Sequence, residues 1–176
     1  MQDYAVVKSE MAEYWNVKPG FEERVKAYFA DPPEADVTLE FQVPEKDFNQ
    51  AGKGSSEVKN LLKRLGVDSE KLRRIAVAAY EAEINVAAHS LGGIMVSHIY
   101  DDLIHIVFKD LGPGIKDISQ AMTPGFSTAD DLVREMGFGA GLGLPNIEKN
   151  SDALHIRSEY GNPTLLELLV FYKDNG

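Results

Sequence analysis

The feature that most constrains the fold is a long amphipathic helix predicted in the middle of the chain. Asp68 is a good N-cap residue, because its side-chain oxygen can accept hydrogen bonds from the first backbone N–H groups of a helix. Apolar residues then recur at steps of three and four: Leu72, Ile75, Ala79, Ala82 and Val86. Leu91-Gly92-Gly93 ends the pattern. A helix with one apolar stripe has to cover another layer, and the flanking sequence indicates that this layer is a β-sheet.

The sheet is predicted from five short segments that are interpreted as strands, the first of which alternates apolar and polar residues as a strand with one buried face does. These segments are residues 37–43, 94–100, 103–109, 154–158 and 164–172. Asp101 and Asp102 separate the second from the third and favour an antiparallel hairpin. Further helices are expected over residues 55–65, 115–122 and 144–151. The predicted fold class is α+β, a two-layer α/β sandwich with helices on one face of a mixed, largely antiparallel sheet.

The first 36 residues stand apart from this pattern. We expect an N-terminal extension of unknown role, followed by a single domain over residues 37–176. Within the extension, residues 21–29 have the four-residue apolar spacing of a short amphipathic helix, which a following proline pair ends. A chain of 176 residues is long enough for one well-filled core and short for two.

Composition argues against several classes of function. The formal net charge of -10 is unlike that of a nucleic-acid-binding protein, which normally carries a basic surface. The absence of cysteine removes disulfides and thiolate metal sites and fits a reducing cytoplasm. Residues 1–10 lack the basic and apolar regions of a signal peptide, and no apolar run reaches the roughly 18 to 20 residues of a membrane span. We therefore expect a cytoplasmic protein with no nucleic-acid partner and no membrane partner.

Glu81 and Asn85 lie four residues apart on the predicted central helix, one position off its apolar stripe, and so share one face. Such a pair is most often part of a solvated surface. The alanine- and valine-rich surroundings, residues 76–88, favour instead a partly buried carboxylate, which needs a partner. The amide oxygen of Asn85 suits a hard cation such as Mg²⁺. His89, one turn later, is interpreted as a helix-end histidine near the negative end of the dipole in preference to an extension of this row.

Asp110 ends a predicted strand and precedes Gly112 and Gly114, which can take backbone angles that are closed to other residues. A carboxylate held beside such a turn can accept a hydrogen bond from an exocyclic amine. Taken alone, the pentapeptide Asp-Leu-Gly-Pro-Gly is more simply interpreted as a turn.

A second glycine-rich segment, Gly139-Ala140-Gly141-Leu142-Gly143, precedes the helix predicted over residues 144–151. Unobstructed backbone N–H groups at a helix N-terminus suit phosphate oxygens. The segment differs from a Walker A loop and from a dinucleotide fingerprint, so alone it is a weak indication of a nucleotide site. Before it, residues 123–138 are polar, contain glycine and lack a clean period, as expected for an active-site lid.

Taken in order, these motifs resemble the Bergerat ATP-binding fold shared by histidine kinases, gyrase, the heat-shock chaperone of ninety kilodaltons and MutL. The N box corresponds to Glu81-Ala82-Glu83-Ile84-Asn85, and the two glycine boxes correspond to residues 110–114 and 139–143. A narrower resemblance extends from Asn49 to Phe171. Over this range the chain is similar to the bacterial anti-sigma regulatory factors, which are serine/threonine protein kinases of partner-switching pathways.

The resemblance implies a role for each motif residue. Glu81 would be the general base, Asn85 would bind Mg²⁺, and Asp110 would accept a hydrogen bond from the adenine amino group of ATP. The other residues that it assigns to the ATP site are Gly112, Gly114, Gly139, Ala140, Gly141, Leu142, Gly143 and Thr164. Some kinases of the family place an arginine beside the second glycine box to meet the γ-phosphate. Gly139 stands at that place here, and the nearest basic residue is Arg134.

The resemblance also implies cofactors and partners. ATP and Mg²⁺ are the expected cofactors, and a small STAS-type anti-sigma-factor antagonist domain is the expected substrate. A sigma factor, a phosphatase and a second copy of the chain are further candidate partners. Two alternatives stay open: a nucleotide-gated module that sequesters a sigma factor or another regulator without significant phosphotransfer, and a stand-alone histidine-kinase-like ATPase domain. The lack of a dimerisation helix with a phospho-acceptor histidine in this sequence counts against the second.

Overall fold

The computed structural model describes residues 12–125 and 143–174, which form six strands and five helices. In chain order these are β1 Ala12–Val17, α1 Glu22–Ala30, β2 Val37–Val43, α2 Lys53–Arg64, α3 Ser69–His89, β3 Gly93–Ile99, β4 Leu103–Asp110, α4 Ile118–Ala121, α5 Gly143–Asn150, β5 Ala153–Ser158 and β6 Thr164–Phe171. Each of the five predicted strands is present, with ends that shift by no more than one residue. No helix in this part of the chain has the length and apolarity needed to cross a membrane.

The six strands form one sheet in the order β1-β5-β6-β4-β3-β2. All neighbouring strands pair in the antiparallel direction. Strands β3 and β4 form the predicted hairpin, in which Ile99 pairs with Ile104 across the turn. The predicted α+β sandwich with a largely antiparallel sheet is confirmed.

The main core lies between one face of this sheet and helices α2, α3 and α5. On the sheet side it contains alternate residues of β4 and β6, such as Ile106 and Leu168. Helix α3 begins as predicted, because Asp68 Oδ1 accepts hydrogen bonds from the N–H groups of Glu70 and Lys71 at 3.0 and 3.1 Å. The whole predicted stripe of α3 is buried: Leu72, Ile75, Ala79, Ala82 and Val86. The neighbouring face of α3 is thereby held at the edge of the core.

Helix α1 departs from the expectation that the helices cover one face. Its buried residues Val25 and Tyr28 pack with Leu169 and Phe171 of β6 in a second core cluster, whereas Leu168 belongs to the main core. Because successive residues of a strand point to opposite faces, α1 lies on the face opposite to α3. Strand β6 is apolar on both faces, and its periodicity does not say which segment covers the second one.

Strand β1 was not indicated by the sequence. It pairs residue by residue with β5 and so extends the sheet at one edge. Tyr14 faces the main core, and Trp15 stacks on His155 on the opposite face, with 3.9 Å between ring centroids. A six-residue edge strand with a half-exposed face is too short to show a clear period. Both β1 and α1 pack on the same sheet as the rest of the chain. The division of the chain at residue 36 stays a prediction.

Helix α4 is shorter than the helix predicted over residues 115–122. The N–H of Ile115 donates to Ser158 Oγ at 2.7 Å, which ties this residue to β5. The helix begins only after Asp117, whose Oδ1 accepts a hydrogen bond from the N–H of Gln120 at 3.0 Å. A tertiary hydrogen bond therefore delays the start of a helix that the local sequence favours earlier.

Candidate functional site

Glu81, Asn85 and Gly143 meet where the first turn of α5 packs against α3. A Cβ atom added to Gly143 would lie 3.0 Å from Asn85 Oδ1, 3.2 Å from Asn85 Nδ2 and 3.4 Å from Glu81 Oε2. The lack of a side chain at Gly143 therefore lets α5 begin directly against both polar groups. Glu81 and Asn85 are half-buried. The structure thus brings the predicted N box together with the last glycine of the second glycine box.

The environment of Glu81 disfavours its charged form. Burial raises the pKa of the Glu81 carboxyl above its ordinary value, and a hydrogen bond with the Asn146 side chain opposes this rise. Asn146 lies in α5, three residues after Gly143. A half-buried carboxylate whose pKa is raised by burial has a raised proton affinity, which suits a general base.

Asp110 lies at the end of β4 and holds the glycine turn that follows. Its Oδ1 accepts hydrogen bonds from the N–H of Gly112 at 2.9 Å and from the N–H of Thr164 at 2.8 Å. Burial raises the pKa of Asp110, and these two backbone hydrogen bonds oppose the rise. Both bonds reach Oδ1, so Oδ2 has no donor within residues 12–125 and 143–174. The second oxygen can therefore accept a hydrogen bond from a ligand amine.

The turn after Asp110 needs glycine at two positions. Gly112 and Gly114 have φ angles of 103° and 86°, in the left-handed region. A Cβ atom on Gly114 would also lie 2.4 Å from Glu159 O and 2.9 Å from Asn162 O. The N–H of Leu91, just after α3, donates to Gly112 O at 3.0 Å. The turn is thus fixed between the β5–β6 connection and the end of α3.

Thr164, which only the resemblance had indicated, lies beside Asp110. In addition to its N–H bond to that carboxylate, its Oγ1 is 2.7 Å from Ser158 Oγ. Ser158 Oγ in turn accepts the hydrogen bond from Ile115. These contacts join β4, β5 and β6 around Asp110 and keep its carboxylate in one orientation.

Two residues at the site were missed by sequence reasoning, Asn146 and Glu83. Glu83 is 2% exposed and accepts hydrogen bonds from the N–H of Gly52 at 2.6 Å, the N–H of Ser55 at 3.0 Å and Ser55 Oγ at 3.1 Å. Glu83 therefore anchors the start of α2, on a different side of α3 from Glu81. For Glu83, the available signal was its position two residues after Glu81, which places it on a different face of the helix. For Asn146, it was the position about one turn after the last glycine of the second glycine box.

Some predicted residues do not contribute to this geometry. His89 is the last residue of α3 and is half-buried, in agreement with its interpretation as a helix-end histidine. Arg134, residues 139–142 and residues 126–138 of the predicted lid lie outside the described residues. Their roles stay predictions.

The side chains present fit a metal ion bound together with a nucleotide. In the described residues, no group of three or more histidine, aspartate or glutamate side chains could hold a metal ion by itself. Mg²⁺ usually keeps several waters and takes one or two protein oxygens together with substrate phosphates. Asn85 Oδ1 offers one such oxygen beside the N-terminus of α5, where phosphates are favoured.

Comparison with known proteins places this geometry in context. The chain matches no family model. It is similar to the serine/threonine-protein kinase RsbT of Bacillus subtilis (strain 168), at 30% identity over 119 residues that cover 65% of this chain and 84% of RsbT. It is also similar to the anti-sigma F factor of Clostridium novyi (strain NT), at 31% identity over 109 residues that cover 58% of this chain and 73% of that factor. For the anti-sigma F factor of Geobacillus stearothermophilus, the identity is 29% over 115 residues, covering 62% and 75% of the two chains.

A solved structure also resembles the fold. A chain in the crystal structure of the SiaB-SiaC complex from Pseudomonas aeruginosa has a TM-score of 0.51 and 14% identity, over 85% of this chain and 96% of that chain. At this identity the likeness concerns the fold alone. The match to RsbT carries more, because it combines 30% identity with most of the length of that kinase. The chain therefore belongs to the family of bacterial anti-sigma regulatory factors and serine/threonine protein kinases.

Proposed function

We propose that this protein is an ATP-dependent kinase that phosphorylates a serine or threonine of a small partner protein and thereby switches which partner is bound. The observation that carries the proposal is the packing of Gly143 against Glu81 and Asn85. A helix N-terminus, a carboxylate of raised proton affinity and an amide oxygen share one small region there. Phosphoryl transfer needs groups of these three kinds to position phosphates, to activate a hydroxyl and to hold a metal ion.

Asp110 recognises the adenine base in this proposal. Its Oδ2 accepts a hydrogen bond from the exocyclic amino group, while Oδ1 is already occupied by Gly112 and Thr164. Guanine carries a keto oxygen at the equivalent place, and two acceptors facing each other would leave a buried group without a partner. The kinase therefore uses ATP in preference to GTP.

Glu81 acts as the general base on the acceptor protein. It takes the proton from the serine or threonine hydroxyl as the oxygen attacks the γ-phosphorus, in line with the departing ADP. ATP would supply the phosphoryl group, and a bound Mg²⁺ would offset negative charge on the phosphates. Asn85 would offer one oxygen ligand to the metal ion, and the first N–H groups of α5 would be available to the phosphates.

The proposed protein substrate is a small antagonist domain of the STAS type. This part of the proposal is supported by kinship with RsbT and with proteins named anti-sigma F factor. A sigma factor or a phosphatase would be an alternative partner in the same switch. A second copy of the chain is a further candidate partner.

The test is transfer of labelled γ-phosphate from ATP, with Mg²⁺, to candidate STAS-domain proteins, followed by mapping of the labelled residue. Glu81→Gln should lower the transfer rate on the order of 10²- to 10⁴-fold and leave ATP affinity within about threefold. Glu70→Gln is a matched control, since Glu70 is exposed at the other end of α3. Unchanged transfer by Glu81→Gln would remove Glu81 from the mechanism. Tight ATP binding without transfer to any candidate would favour the nucleotide-gated binding module.

A further inference from the structure

Strand β1 contacts the C-terminal half of α5, although the proposed function gives the N-terminal segment of the chain no role. The hydroxyl of Tyr14 donates a hydrogen bond to Glu148 Oε2. Just after the strand, Lys18 Nζ donates to Lys149 O at 2.5 Å, and the Lys18 N–H donates to Asp152 O at 2.9 Å. These hydrogen bonds join one short segment to α5 and to the connection that follows it.

The contacts matter because α5 is short. It spans eight residues, Gly143–Asn150, and a helix of about two turns is not stable alone in water. Its orientation is therefore set by tertiary contacts. Ile147 is fully buried in the main core and fixes the side of α5 that faces this core. Tyr14 holds the helix from a different side, because Glu148 follows Ile147 and points about 100° away around the helix axis.

The hydrogen bond between Tyr14 and Glu148 joins a phenol to a carboxylate, and both side chains are half-buried. Burial, together with this hydrogen bond, raises the pKa of Tyr14 to about 12. The phenol is therefore protonated, and so a donor, at neutral pH. Hydrogen bonds to a charged acceptor are stronger than those between neutral groups. The contact thus restrains α5 more firmly than an ordinary surface hydrogen bond would.

We propose that Tyr14 is a positioning residue for ATP binding: through Glu148 it holds α5 in the orientation in which the first N–H groups of the helix meet the phosphates. This inference rests on the proposed function, which assigns the N-terminus of α5 to the phosphates. Gly143 begins the helix against Asn85. Two turns of helix move as one body, so a restraint at Glu148 also restrains Gly143. The segment before residue 37 thereby contributes to the ATP site.

The test compares a ligand that has phosphates with one that has none. Tyr14→Phe removes the hydroxyl and keeps the ring that packs on the main core. ATP affinity in Mg²⁺ should fall about five- to tenfold, while affinity for adenosine stays within about twofold. Titrations followed by chemical-shift changes in the protein give both affinities. Unchanged ATP affinity, or equal losses for ATP and adenosine, would overturn the proposal. A parental protein that binds no ATP would instead refute the proposed function itself.

A double-substitution cycle shows whether Tyr14 acts through Glu148. Glu148→Ala should cause about the same loss of ATP affinity as Tyr14→Phe, and the double variant should lose no more than either. Glu148→Gln keeps an oxygen that can accept the hydroxyl, so its affinity should lie between those of the parent and Glu148→Ala. Additive losses in the double variant would mean that the two side chains act independently, which contradicts the proposal.

Trp15→Phe controls for general loosening of β1. Trp15 lies on the opposite face of the strand, where it stacks on His155 and its indole N–H donates to Glu13 Oε1 at 3.1 Å. This variant should melt at a lower temperature than the parent and keep the parental affinity for ATP. A loss of ATP affinity as large as that of Tyr14→Phe would point to detachment of the whole strand and would rule out a specific role for Tyr14.

Discussion

Helix α3 carries two glutamates two residues apart, and the regions on its two sides use them in opposite ways. On the α2 side, Glu83 is 2% exposed and accepts hydrogen bonds from two backbone N–H groups and one hydroxyl. On the α5 side, Glu81 is half-buried, and burial raises its pKa while the Asn146 side chain opposes the rise. Among the described residues, the donors that saturate Glu83 have no counterpart at Glu81.

This difference distinguishes a carboxylate used for folding from one kept for binding or chemistry. The charge of Glu83 is compensated by donors at the start of α2, where the helix dipole also favours an anion. Glu81 lies in a comparable position on the other side, but residues 12–125 and 143–174 do not supply it with a matching set of donors. A buried charge with few partners costs stability, and perturbed groups of this kind concentrate at functional sites. Asp110 repeats the pattern within one side chain: in the described part of the chain, Oδ1 accepts two hydrogen bonds and Oδ2 accepts none.

The largest expected effect is on stability, and it tests the difference between Glu83 and Glu81. Glu83→Gln should lower the free energy of unfolding by about 3 kcal/mol, because an amide N–H₂ would face donors at the start of α2. Glu81→Gln should not lower it. A raised pKa means that folding disfavours the ionised form, so a neutral side chain removes a cost above that pKa. Urea denaturation of both variants at pH 7 measures the difference, and equal losses would contradict the distinction between the two sides of α3.

The second prediction concerns the open oxygen of Asp110. In Asp110→Asn, the amide oxygen can keep the hydrogen bonds from Gly112 and Thr164, while an N–H₂ replaces the free acceptor. ATP affinity should fall about 10- to 30-fold, and the preference for ATP over GTP should shrink, since a donor now faces the base. Titrations with both nucleotides measure this change. Asp101→Asn, at the exposed turn before β4, is the control and should bind like the parent. Unchanged nucleotide preference would remove Asp110 from the adenine pocket.

The third prediction separates the metal-dependent part of the contribution of Asn85 to ATP binding from the part that does not need the metal. Asn85→Ala should weaken ATP binding about tenfold in Mg²⁺ but only about twofold in EDTA, because only the metal-bridged part of the contact is lost. Binding titrations in the two buffers give the ratio. Equal losses in both would make Asn85 a packing residue against Gly143 and not a metal ligand.

The fold could largely be predicted from sequence where elements bury one face. The alternation in residues 37–43 and the stripe on α3 are periodic signals of elements with one buried face, and short apolar segments bounded by turn residues indicate the other strands. The helix predicted over residues 21–29 is present as α1, but the face of the sheet that it covers and the existence of β1 could not be predicted. An edge strand that exposes Trp15 on one face shows little periodicity, and the apolar second face of β6, with Leu169 and Phe171, does not identify the segment that covers it.

The site could be predicted only as far as spacing along one helix allows. Glu81 and Asn85 share a face of α3 because four residues make about one turn. Their contact with Gly143 depends on how α5 packs against α3, and so does the effect of Asn146 on the pKa of Glu81. The anchoring role of Glu83 likewise depends on which helix lies on the other side of α3. Local sequence does not contain this information, so neither residue was assigned, and the catalytic roles themselves stay predictions.

The smallest expected effect concerns a half-buried carboxylate, that of Glu167, on the opposite face of the sheet. Glu167 Oε1 lies 2.8 Å from His155 Nδ1, and Oε2 lies 3.0 Å from His105 Nε2. Burial acts to raise the pKa of Glu167, but the hydrogen bonds from the two imidazoles outweigh it and hold the pKa below the ordinary value of 4.5. Glu167 thus resembles Glu83 in being saturated by the fold, and it differs from Glu81 in the direction of its shift.

The sign of this shift gives a pH dependence. A carboxyl whose pKa is lowered by folding adds stability above its unfolded pKa, and this contribution is lost as the pH falls through the folded value. Relative to Glu167→Gln, the parent should be more stable by about 1 kcal/mol at pH 6 to 7, and the difference should vanish in acid. Glu40→Gln, at an exposed position of β2, should show no such trend. Denaturation curves of the parent and of Glu167→Gln from pH 7 down into acid measure this difference in stability. A difference that stays constant with pH would mean that Glu167 stabilises the fold by packing and not by its charge. The contrast between Glu167 and Glu81 would then have no electrostatic basis.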